Sequence, residues 1–146
     1  MASAIRSKEQ FFYVSNSRFS SLIDFALDVG QQAAETKEER FFVEALKEKT
    51  EGFWPGYDLI IESEFPSRGE RKFWARVFFD VSYLIFHRKL GNQEITWWQH
   101  SASGDAYIVA RMITRSVQEE EQGWHPITLA SIEADTFFKR GINMQM

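Results

Sequence analysis

Residues 71–98 constrain the fold of this chain more than any other stretch of the sequence. They read RKFWARVFFDVSYLIFHRKLGNQEITWW and hold three of the five Trp and four of the fourteen Phe. No other run offers as much apolar surface, and burial of apolar surface is the dominant favourable contribution to folding. We therefore expect this stretch to lie at the centre of the hydrophobic core.

Two periodicities fit the first part of this stretch. A strand would place one apolar set on a single face: Val77, Phe79, Val81, Tyr83 and Ile85. A helix would align a different set: Phe73, Trp74, Val77, Phe78, Val81, Leu84 and Ile85. The helix would also have its own boundary signals, because Ser67 with Glu70 matches a capping box and Gly91 follows a basic last turn.

We favour strands over residues 71–89 for two reasons. Residues 57–65 alternate apolar and polar side chains, which is typical of a half-buried strand, and such a strand needs pairing partners. Residues 90–93 are typical of a hairpin connection. The alternative, an all-α fold with one long buried helix over residues 67–89, stays open.

Helical spacing dominates the region before this stretch. Residues 17–34 and 35–51 carry apolar side chains three and four positions apart. Thr36 and Glu39 match a capping box, in which each side chain accepts a hydrogen bond from the backbone N–H of the other. We therefore predict an N-terminal helical hairpin.

Shorter segments complete the predicted architecture. Residues 10–14 predict an extended arm or edge strand, and residues 100–104 a loop. Asp105 is a natural N-cap for a helix over residues 106–120, and a weaker pattern predicts a final helix over residues 128–140. We expect a single α+β domain of 146 residues: the helical hairpin, a three- to four-stranded antiparallel sheet, and C-terminal helices.

Composition narrows the class of protein. The apolar content of 44% indicates a folded globular chain. The absence of Cys excludes disulfides and thiolate metal sites and favours a reducing, cytoplasmic setting. No apolar run approaches the roughly 20 residues that span a bilayer, so no membrane partner is expected. The net charge of −4 argues against non-specific nucleic-acid binding.

The sequence contains no convergent catalytic or metal-binding pattern. Glu62 and Glu64 would lie about 6.7 Å apart on one strand face, but such a pair is more often a solvated edge. The imidazoles of His87, His100 and His125 lack the spacing of helical metal ligands. The loop HSASGD carries Ser, His and Asp, but consecutive residues cannot point at one another as a catalytic triad does. We therefore expect no catalytic site, no metal and no cofactor.

The features that remain point to binding of another protein. Trp and Arg are enriched among residues that dominate binding energy at interfaces, and an acidic surface speeds association with a basic partner. The first hypothesis is a small, acidic, non-enzymatic protein-binding domain, of the inhibitor, immunity-type or adaptor kind, that docks on a basic partner. Its candidate residues are Trp97, Trp98, Arg88, Lys89, Glu119, Glu120 and Glu121.

Three alternatives belong to other classes. A small-molecule-binding or hydrolytic domain would have a pocket between sheet and helices that includes Tyr83 and His100. A nucleic-acid-binding protein would use the basic patch of residues 68–89. A structural subunit of an assembly would bury its aromatic residues against neighbours. The sequence leaves the oligomeric state open.

Overall fold

The computed structural model describes residues 2–8, 10–51, 58–87 and 97–122. In this part of the chain the fold is mixed α+β, with a three-stranded sheet and five helices. The elements follow in the order β1 (Ala2–Ser7), β2 (Gln10–Ser15), α1 (Asn16–Ala33), α2 (Lys37–Glu51), β3 (Asp58–Ile60), α3 (Ile61–Glu64), α4 (Arg68–Phe86) and α5 (Trp97–Gln122).

The sheet is formed mainly by the N-terminus and has the order β2-β1-β3. Strands β1 and β2 pair antiparallel, with Ile5 opposite Phe12, and β3 pairs parallel to β1, with Ile5 opposite Leu59. Lys8, after β1, has a φ of 53°, the left-handed conformation that tight turns require. The expected all-antiparallel sheet placed after two helices is thus wrong, because its central strand precedes both helices and its third strand is parallel.

The central stretch is a helix over its described part, so the prediction of strands there is wrong. Helix α4 begins after Ser67, whose hydroxyl accepts a hydrogen bond from the Glu70 backbone N–H at 3.1 Å. Eleven of its nineteen residues are buried. A helix buried on most sides has apolar residues at nearly every position, so an alternating set can be found in it by chance. The capping signal identified the correct alternative for this element, although the fold as a whole is not all-α.

The strand predicted over residues 57–65 is only three residues long and gives way to helix α3. Ile61 and Phe65 are both buried, and the Phe65 N–H donates to the Ile61 carbonyl at 2.9 Å. Residues four apart lie on one helical face as well as on one strand face. The spacing of these two residues therefore could not decide between the two structures.

Helix α5 also begins earlier than expected. The predicted loop at residues 100–104 is helical, because α5 starts at Trp97, and Asp105 lies inside the helix and is not its N-cap. Asp105 instead accepts two hydrogen bonds from Arg18 of α1. The predicted connection at residues 90–93 and the predicted helix over residues 128–140 lie outside the described residues.

Trp74 occupies the centre of the core, as the aromatic content of the central stretch predicts. Its side chain is fully buried, and its ring lies 5.7 Å from Phe65, 5.1 Å from Phe73 and 6.3 Å from Phe78, measured between ring centroids. Helices α4 and α5 run antiparallel, since Arg71 contacts Ser116 whereas Ser82 contacts Ser103. The pair of helices thus forms the main packing unit, and Ile5 and Leu59 of the sheet belong to the same buried core.

Two helical glycines give a matched test of this packing. A Cβ at Gly30 would lie 3.3 Å from Cζ3 of Trp74 and 3.4 Å from Cγ2 of Val43, whereas a Cβ at the exposed Gly104 would meet nothing within 4 Å. We expect Gly104→Ala to stabilise the protein by roughly 0.5–1 kcal/mol through helix propensity. We expect Gly30→Ala to destabilise it by about 1 kcal/mol, because the buried Trp74 has no room to retreat. Urea denaturation of both variants checks the sign, and stabilisation by both would contradict the packing at Gly30.

Candidate functional site

The acidic triplet at the end of α5 is paired within the chain. Glu119 lies 2.9 Å from Nζ of Lys8 and accepts a hydrogen bond from Arg115 at 2.9 Å. Glu121 lies 2.9 Å from Nζ of Lys72. Because α4 runs antiparallel to α5, the basic first turns of α4 face the acidic end of α5. The positive charges of α4 therefore offset the negative charges of α5.

Glu120 pairs with two arginines of α4. It lies 2.9 Å from Nη2 of Arg71 and 3.5 Å from Nε of Arg68. The guanidinium of Arg68 also comes within 3.8 Å of Glu121. The three carboxylates predicted to attract a basic partner are therefore already compensated by cations of the same molecule.

Arg71 is the buried centre of this arrangement. Its side chain is 3% exposed, and Nε donates to the Phe65 carbonyl at 2.9 Å while Nη1 donates to Oγ of Ser116 at 3.1 Å. Nη2 donates to the Pro66 carbonyl and to both carboxylate oxygens of Glu120. Arg71 thus ties the loop before α4 to the last turns of α5, which is a structural task and removes it from a surface patch.

The pKa values of the triplet reflect these pairs. Burial opposes the charged form of Glu119, but the hydrogen bonds from Lys8 and Arg115 outweigh it and lower the pKa. The hydrogen bond from Lys72 lowers the pKa of Glu121. Both carboxylates are therefore anionic at neutral pH, with the charge held by neighbouring cations.

The remaining basic patch is also engaged where it is described. Arg76 donates to Glu39 of α2 at 3.0 Å and lies over the Phe73 ring. Arg88 and Lys89 lie outside the described residues. A nucleic-acid interface would need free cations to neutralise phosphates, and Arg71, Lys72 and Arg76 each have an internal acidic partner.

The predicted aromatic and pocket residues are only partly located. Trp97, Trp98 and His100 belong to the first turn of α5, and their side chains lie outside the description. Tyr83 is 8% exposed, and its ring lies 4.5 Å from that of His87. The backbone of Trp97 and Trp98 is helical, so the strand predicted for these two residues is wrong.

In the described part of the chain, the side chains considered for acid–base or nucleophilic chemistry do not converge. Glu62 accepts hydrogen bonds from Ser7 and Ser116, whereas Glu64 pairs with Lys49 on another side. Ser103 donates to the Ser82 carbonyl at 2.9 Å. Among the described residues, no group of three or more His, Asp or Glu is placed to hold a metal ion.

An open groove of about 420 Å³ runs between α1 and α2. It is lined by Asp24, Leu27, Asp28, Gln31, Lys47, Thr50 and Glu51. Burial and the neighbouring Asp28 raise the pKa of Asp24. The hydroxyl of Thr50 donates to the Lys47 carbonyl at 2.8 Å. The groove is thus an open cleft whose lining is mostly charged or polar.

Strand β2 carries an exposed aromatic surface that the sequence interpretation did not identify as a candidate site. Phe11 and Tyr13 are 53% and 64% exposed, and their rings lie parallel within 4°, with centroids 6.2 Å apart. Phe12 and Val14 point to the core side. The alternation of these four residues was a signal for two different faces, but the sequence alone did not say that the outer face stays uncovered.

The neighbouring strands complete this outer face. In the described sheet Tyr13 lies opposite Ala4, and Phe11 lies opposite Arg6. Arg6 is half-buried and donates to both carboxylate oxygens of Asp58 on β3, at 2.9 and 2.6 Å. We call the β2 strand with its outward Phe11 and Tyr13 the β2 surface.

No family model, no curated protein and no solved structure matches this chain. Within the described part of the chain, no helix has both the length and the apolar character to cross a membrane.

Proposed function

We propose that this chain is a non-enzymatic protein-binding domain that docks through the β2 surface. The observation that carries the proposal is the parallel pair of Phe11 and Tyr13, both more than half exposed on a strand at the end of the sheet. Aromatic side chains supply much of the binding energy at protein interfaces. Exposure of these two rings to water is unfavourable in free energy, and a partner that covers them would remove this exposure.

The backbone of β2 supports the same proposal. Among the described strands, β2 has a neighbour on one side and none on the other. An unpaired strand edge can accept an extended segment of another polypeptide through main-chain hydrogen bonds, with alternate side chains giving specificity. The β2 surface therefore combines a template for strand addition with two apolar anchors.

Charge takes a smaller part in this proposal than the sequence predicted. Glu119, Glu120 and Glu121 each have a cation of the same chain within 3 Å. Their attraction for a basic partner is reduced accordingly, because each ion pair is nearly neutral at a distance. We expect the contact to be made by apolar side chains and main-chain groups. A protein of the inhibitor, immunity or adaptor type would act through this docking, in a reducing compartment.

Site-specific photo-crosslinking in the cells that make the protein tests the proposal. We expect benzoylphenylalanine in place of Tyr13 to give a covalent adduct with a polypeptide, whose attachment point maps to an extended segment. The same group in place of Phe41, which is 70% exposed on α2, serves as the control for exposure alone. A Phe11→Lys change should weaken capture at least tenfold, because it puts a charge beside the anchor.

Two results would contradict the proposal. One is the absence of adducts at position 13. The other is equal capture from positions 13 and 41, which would mean that the β2 surface is no more than an exposed part of the chain.

A further inference from the structure

We infer that the partner of the β2 surface is a second copy of this chain, joined strand to strand. In this arrangement two β2 strands pair antiparallel about a two-fold axis, and two three-stranded sheets become one of six strands. The inference rests on the proposed function and names the partner for it. A symmetric contact of this kind closes on itself and stops at two copies.

The two ends of the sheet differ in a way that selects β2. Strand β3 has three residues, begins with the ion-paired Asp58 and passes directly into α3. Short length and charge are the usual protections of an edge strand. Strand β2 has six residues in an unbroken register with β1, and its sequence QFFYVS contains no Pro, Lys or other charged residue. Of the two edge strands in the described sheet, β2 is the one suited to accept a further strand.

Electrostatics favour this place for contact between identical chains. Each copy carries a net charge of −4, so two copies repel each other over most orientations. The residues of β2 bear no formal charge, and the nearest charged pair described on the outer face, Arg6 with Asp58, is neutral as a pair. Two β2 strands can therefore meet without bringing like charges together.

The alternation of side chains limits the possible registers, and the positions of the aromatic residues select one of them. In antiparallel pairing of identical strands, directly opposite residues have numbers with a constant sum, and they must lie on the same face. A sum of 24 keeps the outward and inward sets together, with Phe11 opposite the partner's Tyr13 and Phe12 opposite the partner's Phe12. This register stacks aromatic on aromatic in every central pair, the combination that stabilises cross-strand contacts most.

The size of the contact sets the expected strength. Fully buried aromatics remove about 150–250 Å² each from water, and Phe11 and Tyr13 have about half of their surface to contribute. The contact falls below the roughly 800 Å² per partner of a stable interface. We therefore expect a reversible dimer with a dissociation constant on the order of 10 μM.

Sedimentation velocity of the full chain from about 1 to 500 μM tests the association. We expect wild type to pass from monomer to dimer across this range. Tyr13→Lys should weaken dimerisation at least tenfold, whereas Phe41→Lys, which adds the same charge at another exposed aromatic, should leave it unchanged. Wild type that stays monomeric at 500 μM overturns the inference, and so does equal loss in both variants.

A disulfide experiment tests the register, since the chain has no native Cys. Under mild oxidation, a mixture of Phe11→Cys and Tyr13→Cys chains should form a mixed dimer at least tenfold faster than either chain alone. Directly opposite residues lie within the 4.4–6.8 Å that a disulfide spans between Cα atoms, whereas positions offset by two residues do not. A Phe41→Cys chain gives the collisional background rate. Faster self-linking of Tyr13→Cys overturns this register.

The outcomes separate the inference from the proposed function. A monomeric wild type whose position 13 nevertheless captures a different polypeptide overturns the second copy as partner and supports the docking surface. Absence of both dimer and adduct overturns both.

Discussion

Replacing Arg71 with Met is expected to lower the free energy of unfolding by about 2–4 kcal/mol. The guanidinium is 3% exposed and donates to the carbonyls of Phe65 and Pro66 and to the hydroxyl of Ser116. The Met side chain fills a similar volume but donates nothing. The acceptors of the loop before α4 then stay buried without a partner, and this desolvation dominates the loss.

Arg68→Met is the matched control. Arg68 lies one turn earlier on α4 and pairs with the same Glu120, but its side chain is 55% exposed. Exposed ion pairs contribute about 0–1 kcal/mol, so we expect this variant to lose less than 1 kcal/mol. Urea denaturation followed by circular dichroism measures both. Equal losses would show that Arg71 acts as one more surface charge and would refute its role as the buried tie between α4 and α5.

Trp74→Ala should have a comparable or larger effect, about 3–5 kcal/mol. The indole is fully buried and contacts the rings of Phe65, Phe73 and Phe78. Its removal leaves a cavity lined by three aromatic rings, of which Phe73 and Phe78 lie on α4 itself. The core cannot collapse into such a cavity without moving α4, so little of the loss is recovered.

Trp74→Phe separates packing from polarity at the same position. Among the described residues, Nε1 of Trp74 has no hydrogen-bond partner, although it is buried. An unsatisfied buried donor costs about 1–3 kcal/mol, and Phe removes it. We therefore expect Trp74→Phe to lose at most half of what Trp74→Ala loses. Phe41→Ala, at a residue 70% exposed, should change stability by less than about 0.5 kcal/mol. Equal losses in the two Trp74 variants would contradict this account.

The capping-box signals in the sequence correctly predicted where helices begin, because a cap is a contact between residues close in the chain. The Thr36–Glu39 capping box is present, with Glu39 N–H donating to Oγ1 of Thr36 at 3.0 Å and Thr36 N–H donating to Oε1 of Glu39 at 3.2 Å. The cap at Ser67 likewise marked the true start of α4. Such signals involve residues three apart, so one window of sequence contains both partners.

Strand β1 could not be predicted because its buried face is partly polar. Ser3 and Ser7 point inward on either side of Ile5 and are 0% and 4% exposed. Their hydroxyls donate to Asn16 and to Glu62, partners distant in the sequence. Because Ser alternates with Ile on the buried face, the segment shows no period of two in its apolar residues. Hydrophobic patterning therefore could not identify β1, the central strand of the sheet.

The internal pairing of the candidate site residues could not be predicted for a related reason. Glu119, Glu120 and Glu121 looked like a docking surface because their cations lie far away in the chain, on α4 and beside β1. Residues 10–14 were predicted as an extended arm or edge strand, but the sequence did not show that Phe11 and Tyr13 lie on an exposed face. Whether a charge is compensated or a ring is covered depends on tertiary contacts, and a single sequence without those contacts does not contain the answer.

The parallel pairing of β1 with β3 has a consequence for the newborn chain. Arg6 and Asp58 are 52 positions apart. At a synthesis rate of about 5–20 residues per second, β3 is therefore made roughly 3–10 s after β1. During this interval the β1–β2 hairpin has two bare edges while α1 and α2 are being made. Unpaired strand edges favour association with other chains, so we expect the nascent chain to be prone to association during this interval.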